Sequence, residues 1–223
     1  MKPSTFGIPI LFCVITLASL GNAFAQALDI SSGGAPTITG ASGGSVTGSA
    51  SVLNDLVVTI NFNELSPSNI NNIVKVTVPI AVRSNQPYQV GVTASGSINA
   101  NAQALQRSDI GFGVNNFRAM GANSRICVNS PHIFYSPFSN DPAANVTINA
   151  SGRAAYPSTI NNIGASTVIL SGPRLSSTRQ AVRQTDNGYI FDAIFTITPQ
   201  FYATGTTSVT LVFTISAGPN VPC

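Results

Sequence analysis

The sequence predicts an all-β protein, an antiparallel β-sandwich of about eight or more strands with almost no helix. Three observations carry that expectation. Apolar residues recur at every second position in one segment after another, and clusters of Gly, Pro, Asn and Ser separate those segments. Only residues 102–107 offer even a turn or two of helix. Strands of this kind must bury their apolar faces against each other, which leads to a sandwich or barrel.

The chain opens differently. Met1-Lys2-Pro3-Ser4-Thr5 carries one positive charge, residues 6–20 carry none, and Gly21-Asn22-Ala23-Phe24-Ala25 places small residues where a signal peptidase reads them. This predicts a cleavable secretory signal over residues 1–25, with the mature chain starting at Gln26. The uncharged run falls short of the roughly 20 residues a membrane-spanning helix needs. No later segment is long and apolar enough to span, so no stable membrane insertion is expected after cleavage.

Residues 26–51 are rich in Gly, Ser, Ala and Thr and read as a flexible leader with at most one or two short strands. Alternation then takes over. Leu56, Val58, Ile60 and Phe62 share one face, and Val74, Val76, Val78, Ile80 and Val82 share another, opposite Lys75, Thr77, Pro79, Ala81 and Arg83. Pro79 has no N–H to donate, so its strand is expected at an edge or with a bulge. Ser84-Asn85-Gln86-Pro87 turns the chain into Tyr88, Val90, Val92 and Ala94. Further strands are expected at Ile110-Gly111-Phe112-Gly113-Val114, residues 145–150, residues 167–170, Tyr189 through Ile197, and Val209 through Ile215. Asn187-Gly188 supplies a hairpin signal before the penultimate one.

A partial repeat complicates the domain count. Val58-Thr59-Ile60-Asn61 recurs as Val146-Thr147-Ile148-Asn149, and Pro67-Ser68-Asn69-Ile70-Asn71-Asn72-Ile73 is echoed by Pro157-Ser158-Thr159-Ile160-Asn161-Asn162-Ile163. The expectation is a single sandwich over residues 52–223; the alternative is two tandem small sandwiches, 52–135 and 136–223.

Composition narrows the function. Charged residues make up 8% of the chain, against a usual value of about 25%. An apolar share of 43% is inconsistent with a disordered chain. Arg174, Arg179 and Arg183 form the densest basic stretch, without a Lys/Arg run or interleaved aromatics, so no nucleic-acid partner is expected. Cys13 leaves with the signal, and Cys127 and Cys223 are expected to pair in an oxidising compartment. A loop of that length would stabilise the fold by roughly 4–5 kcal/mol on the chain-entropy account.

Catalytic chemistry is poorly supplied. His132 is the single histidine, which excludes zinc sites built from several histidines. Gly40-Ala41-Ser42-Gly43-Gly44 has the spacing of a nucleophile elbow but lies in the leader, without the strand and helix that motif requires. The carboxylates are Asp29, Asp55, Glu64, Asp109, Asp141, Asp186 and Asp192, several of them in turn contexts. Asn140-Asp141-Pro142 and Asp186-Asn187-Gly188 fall far short of a calcium cage. Tyr135, Tyr156 and Tyr202 are the candidates for a sugar-stacking platform, since the chain has no Trp. The short signal and the Asn/Ser/Thr-rich style have a bacterial look, so the two sequons, at Asn145 and Asn149, are expected to stay unmodified. No enzyme, cofactor, catalytic residue or metal ligand is therefore expected.

Residues 78–94, Val-Pro-Ile-Ala-Val-Arg-Ser-Asn-Gln-Pro-Tyr-Gln-Val-Gly-Val-Thr-Ala, resemble a piece of exported bacterial β-sandwich proteins in which one strand ends in Ser-Asn and Pro-Tyr opens the next. The segment is similar in style to spore-coat-U-type and fimbrial-subunit domains. That resemblance implies an immunoglobulin-like or fimbrial-like sandwich at a bacterial surface. The closing Asn220-Val221-Pro222-Cys223 departs from typical chaperone–usher pilins, which often carry a Tyr just before the end. The expected role is a secreted or cell-surface structural or adhesive protein, engaging a protein partner or its own copies through strand edges. The alternative is an envelope carbohydrate-binding module or hydrolase.

Overall fold

The structure, a computed structural model, describes residues 27–39, 44–50, 55–62, 73–95, 105–120, 132–150, 153–176, 188–198 and 207–222. Thirteen strands run through them: β1 (Leu28–Ser32), β2 (Thr37–Thr39), β3 (Gly44–Ala50), β4 (Asp55–Phe62), β5 (Val74–Ser84), β6 (Tyr88–Ser95), β7 (Gly111–Met120), β8 (Ile133–Phe134), β9 (Thr147–Ile148), β10 (Ala154–Ala155), β11 (Thr167–Gly172), β12 (Gly188–Ile197) and β13 (Thr207–Ala217). Sheet one has the order β1-β5-β12-β7, with β2 continuing β1 along β5. Sheet two runs β3-β4-β13-β6-β11-β8, and β9 pairs with β10 as a small hairpin. Every pairing is antiparallel. The protein is an all-β antiparallel sandwich.

The alternating residues do what their period requires. Val76, Val78, Ile80 and Val82 of sheet one and Leu56, Val58, Ile60, Val90 and Val92 of sheet two enter one core cluster. Phe112 stands at its centre, with ring centroids 5.3 Å from Phe195, 5.5 Å from Phe138 and 6.4 Å from Phe213 on the opposite sheet. The tilted contacts are the arrangement aromatic quadrupoles prefer. Each sheet mixes strands from both halves of the chain: β5 lies against β12, and β4 against β13. The repeated tetrapeptide has two unlike fates. Val58 and Ile60 are fully buried in β4, whereas Ile148 is 61% exposed in the β9–β10 hairpin.

Three expectations change. The Gly/Ser-rich leader carries three paired strands, β1, β2 and β3, because backbone pairing needs no large side chain. The strand holding Pro79 is not an edge; β5 has β12 on one side and β1 and β2 on the other. Of the turn or two of helix expected over residues 102–107, the described part, from Leu105, leads into a 3-10 turn at Arg107–Asp109.

A fourth departure concerns β12. Alternation places Asp192, Ile194 and Thr196 outward, yet all three are buried. Asp192 is held by Asn116 and Arg118 of β7, and the cover over Ile194 and Thr196 is the described part of the connection from Tyr135 to Ile163, which crosses the outside of sheet one as a strap. Over β7, the strap comes so close to Gly113 that an added Cβ would lie 2.2 Å from the Asn140 carbonyl oxygen. At Gly111 it would lie 2.7 Å from the Tyr156 ring. The Lys75 ammonium of β5 then pairs with Asp141, so the strap reaches from β7 to β5 across β12 near Thr196. The glycines of Ile110-Gly111-Phe112-Gly113-Val114 are thus the outward half of a strand whose other half is core. Along the β7 edge, the Phe112 and Val114 N–H groups donate to the Ser158 and Phe138 carbonyls at 3.1 and 2.8 Å.

Candidate interaction edge

The segment with the clearest capacity for intermolecular contact is the edge made by β1 and β2. In β1, Leu28 lies opposite Ser84, Ile30 opposite Val82 and Ser32 opposite Ile80. Ile30 is 1% exposed and belongs to the core, and Leu28 leans against it. On the outer face the Arg83 guanidinium donates to Asp29 at 2.7 Å and to Ser31 at 3.1 Å. The start of the strand is tied by two bonds between Ala27 and Asn85: the Asn85 N–H donates to the Ala27 carbonyl at 3.1 Å, and the Ala27 N–H donates to the Asn85 side chain at 2.9 Å.

The edge then breaks, for a reason visible in Pro79. The Gly33 N–H donates to the Pro79 carbonyl at 2.8 Å, so that side of Pro79 faces the edge strand. In a strand, a residue's N–H and C=O point the same way, and Pro79 has no N–H to offer there. The neighbouring chain leaves the ladder through Gly33-Gly34-Ala35-Pro36 and rejoins it as β2, with Ile38 opposite Val76. Between Ile30 and Ile38 the edge strand uses eight steps to cover the six from Val82 to Val76. At the break, an added Cβ on Gly33 would lie 3.1 Å from both Ile190 and the Pro79 backbone. Beyond it, β2 is exposed throughout, and Ile38 is 41% exposed. The matching edge of sheet two is β3, paired to β4 from Gly44↔Phe62 to Ala50↔Leu56. Residues 26–51 thus supply the outermost strands of both sheets on one side of the sandwich.

The opposite side is closed by rings. Phe117 of β7 stacks on Tyr189 of β12, with centroids 4.7 Å apart and 18° between planes. His132 lies 3.8 Å from Phe117, 4.9 Å from Tyr189 and 5.9 Å from Tyr88. The lone histidine is a member of this cluster. Burial raises the Tyr88 phenol well above its usual range, and the neighbouring Tyr189 adds to the shift.

Most other candidate residues are engaged in structural contacts. The carboxylates of Asp29, Asp109, Asp141 and Asp192 pair with Arg83, Arg153, Lys75 and Arg118, respectively. Asp55 accepts from the Thr214 hydroxyl at 2.6 Å. Asp141 also accepts from the Ala143 N–H at 3.0 Å, the turn role its context implied. The Tyr135 hydroxyl donates to Ser171 at 3.0 Å. Tyr156 meets Thr198, and burial raises its phenol despite those hydrogen bonds. Asn145 and Asn149 of the sequons are exposed on the strap, and Arg174 is exposed. Cys127, Cys223, Ser42, Glu64, Arg179, Arg183, Asp186, Asn187, Tyr202 and the signal segment lie outside the described residues. Among the described residues no group of three or more His, Cys, Asp or Glu gathers to hold a metal, and no helix is long and apolar enough to cross a membrane. The Gly/Ser-rich composition concealed these edge strands; the alternation of Leu28 and Ile30 is the sequence feature that marks the first of them.

The chain matches no protein-family model, no curated protein and no solved structure.

Proposed function

We propose that this is an exported structural or adhesive protein, acting at a cell surface or outside the cell through contacts with other proteins or its own copies. The observation that carries the reading is β1. It is a short outer strand, joined to the rest through Gly33-Gly34, yet it places Ile30 in the core. Backbone hydrogen bonds and alternate apolar side chains are the two ingredients of strand addition. A strand with those properties is exchangeable with the same strand of a neighbouring copy. The three-part segment at residues 1–25 supports export, and a Cys127–Cys223 disulfide fits the same compartment. Residues flanking the two cysteines converge on Tyr88: His132 is beside its ring, and Ala217 is its strand partner. His132 is five positions after Cys127, and Cys223 is six positions after Ala217. At roughly 3.3–3.6 Å per residue, both segments reach far enough to meet.

The test uses the mature chain from Gln26 and a version lacking residues 26–51. The truncated protein is expected to lose stability and to capture a peptide covering 26–51, read by size-exclusion chromatography and a thermal melt. The intact chain is expected to form concentration-dependent oligomers through the same segment. A truncated protein that melts like the intact one and ignores the peptide rejects the reading.

A further inference from the structure

Charge is scarce in the segment that forms the outer strands. Residues 26–51 contain one charged residue, Asp29, and β1 places it directly opposite Arg83. The Arg83 side chain is engaged on both sides of β5. Its stem passes over β12, where an added Cβ on Gly188 would lie 2.9 Å from the Arg83 Cγ. Its guanidinium reaches the opposite way, over β1, and donates to Asp29 at 2.7 Å and to Ser31 at 3.1 Å. That side chain is 11% exposed, against 44% for Asp29. The ladder from Leu28↔Ser84 to Ser32↔Ile80 is main chain on both strands, and both bonds to Asn85 use the Ala27 main chain. Ile30 fills the core, but a slide of two residues keeps the same face inward and would set Leu28 opposite Val82 in its place. The same slide would carry Asp29 to Ala81, away from the arginine.

We propose, resting on the exchange of β1 between copies, that Arg83 selects the strand that enters this slot. The strand it fits carries an acidic residue facing Arg83 and an aliphatic residue one position later. The β1 of a second copy supplies both, in Asp29 and Ile30. A neutral residue there forgoes a charge-assisted hydrogen bond, and a basic one sets a like charge against a guanidinium that water reaches poorly. Rejection of the wrong strand then does as much as attraction of the right one. The selection also acts within the chain itself. β2 and β3 lie in the same segment and contain no charged residue, so they offer the slot backbone bonds without the carboxylate. Asp29 fixes register as well, which the alternating Leu28 and Ile30 leave open by two residues.

The experiment uses full mature chains, from Gln26, that carry Asp29→Lys or Arg83→Glu. Either substitution sets like charges across the β1 slot of its own chain. Mixed in equal amounts, the two variants relieve both conflicts by trading strands. The lysine-bearing β1 of one enters the glutamate-bearing slot of the other, whose unaltered β1 meets the unaltered Arg83 of the first. Native mass spectrometry is expected to show about tenfold more mixed complexes than either variant forms with itself. Thermal melts establish which variants fold. If a single variant does not, the chain carrying both substitutions takes its place, since its pair is restored with the signs reversed. Mixed with the unaltered chain, it is expected to sort, each form associating with itself about tenfold more than with the other. Exchange among unaltered chains that the substitutions neither direct nor sort overturns the role of Arg83 and leaves β1 exchange standing. Absence of complexes from the unaltered chain and from every mixture overturns both.

Discussion

The two lateral sides of the sandwich are closed by opposite means. On the N-terminal side, β1 and β2 are short, interrupted strands in a Gly/Ser-rich segment, and the core gains one fully buried anchor there, Ile30. On the far side, the edge of β7 is bonded to strap carbonyls, and Phe117, Tyr189 and His132 form a ring cluster. Natural sheets protect edges by covering them or by keeping them short and broken. This protein uses one solution on each side. The difference shows that a composition associated with linkers is compatible with ordered strands, provided another strand supplies the hydrogen bonds.

The contrast should appear first in core truncations. Phe112→Ala is expected to cost about 3–5 kcal/mol, because the ring touches both sheets and the strap, whereas Ile30→Ala costs about 2 kcal/mol at an edge free to relax. Denaturant melts measure both, and equal losses would erase the distinction between the sides. A finer test uses two glycines. Gly113→Ala forces a Cβ against the Asn140 backbone and is expected to destabilise by about 1–3 kcal/mol. Gly34→Ala meets only the Pro79 ring, at 3.7 Å or more, and is expected to stabilise by about 0.4–1 kcal/mol by restricting the unfolded chain.

The smallest effect is confined to alkaline solution. The raised Tyr88 phenol keeps its proton in the folded state after the unfolded chain has begun to lose it, near pH 10. Its contribution is complete below that value and is lost as pH rises through the higher folded one, since the unfolded state then binds fewer protons. Tyr88→Phe is expected to flatten the fall in stability above about pH 10, as followed by melts across a pH series.

What the sequence made legible was side-chain periodicity. The alternation in Leu56 through Phe62, Val74 through Val82, Tyr189 through Ile197 and Val209 through Ile215 marked β4, β5, β12 and β13. Pro79 suggested an edge strand or a bulge, yet β5 is interior and its register with β12 is unbroken; the break lies in the partner strand, a relation between segments that local reading does not contain. The burial of Ile194 and Thr196 was hidden for the same reason, since the strap that covers them lies more than thirty residues earlier in the chain. The contact between the Thr59 and Thr210 hydroxyls also depends on register: the two are neighbours only because β13 lies beside β4.

That last placement has a kinetic consequence. The final strand, β13, is central in sheet two, with Thr210 opposite Thr59 on one side and Ser95 on the other. During synthesis, β4 and β6 emerge long before the strand that must stand between them. Pairings so distant in sequence close slowly, and apolar strands waiting for them are prone to aggregate. A chain interrupted before residue 207 lacks the middle of that sheet. Closure of that sheet therefore waits for β13, and any factor that holds the early strands apart until then would govern the yield of native protein.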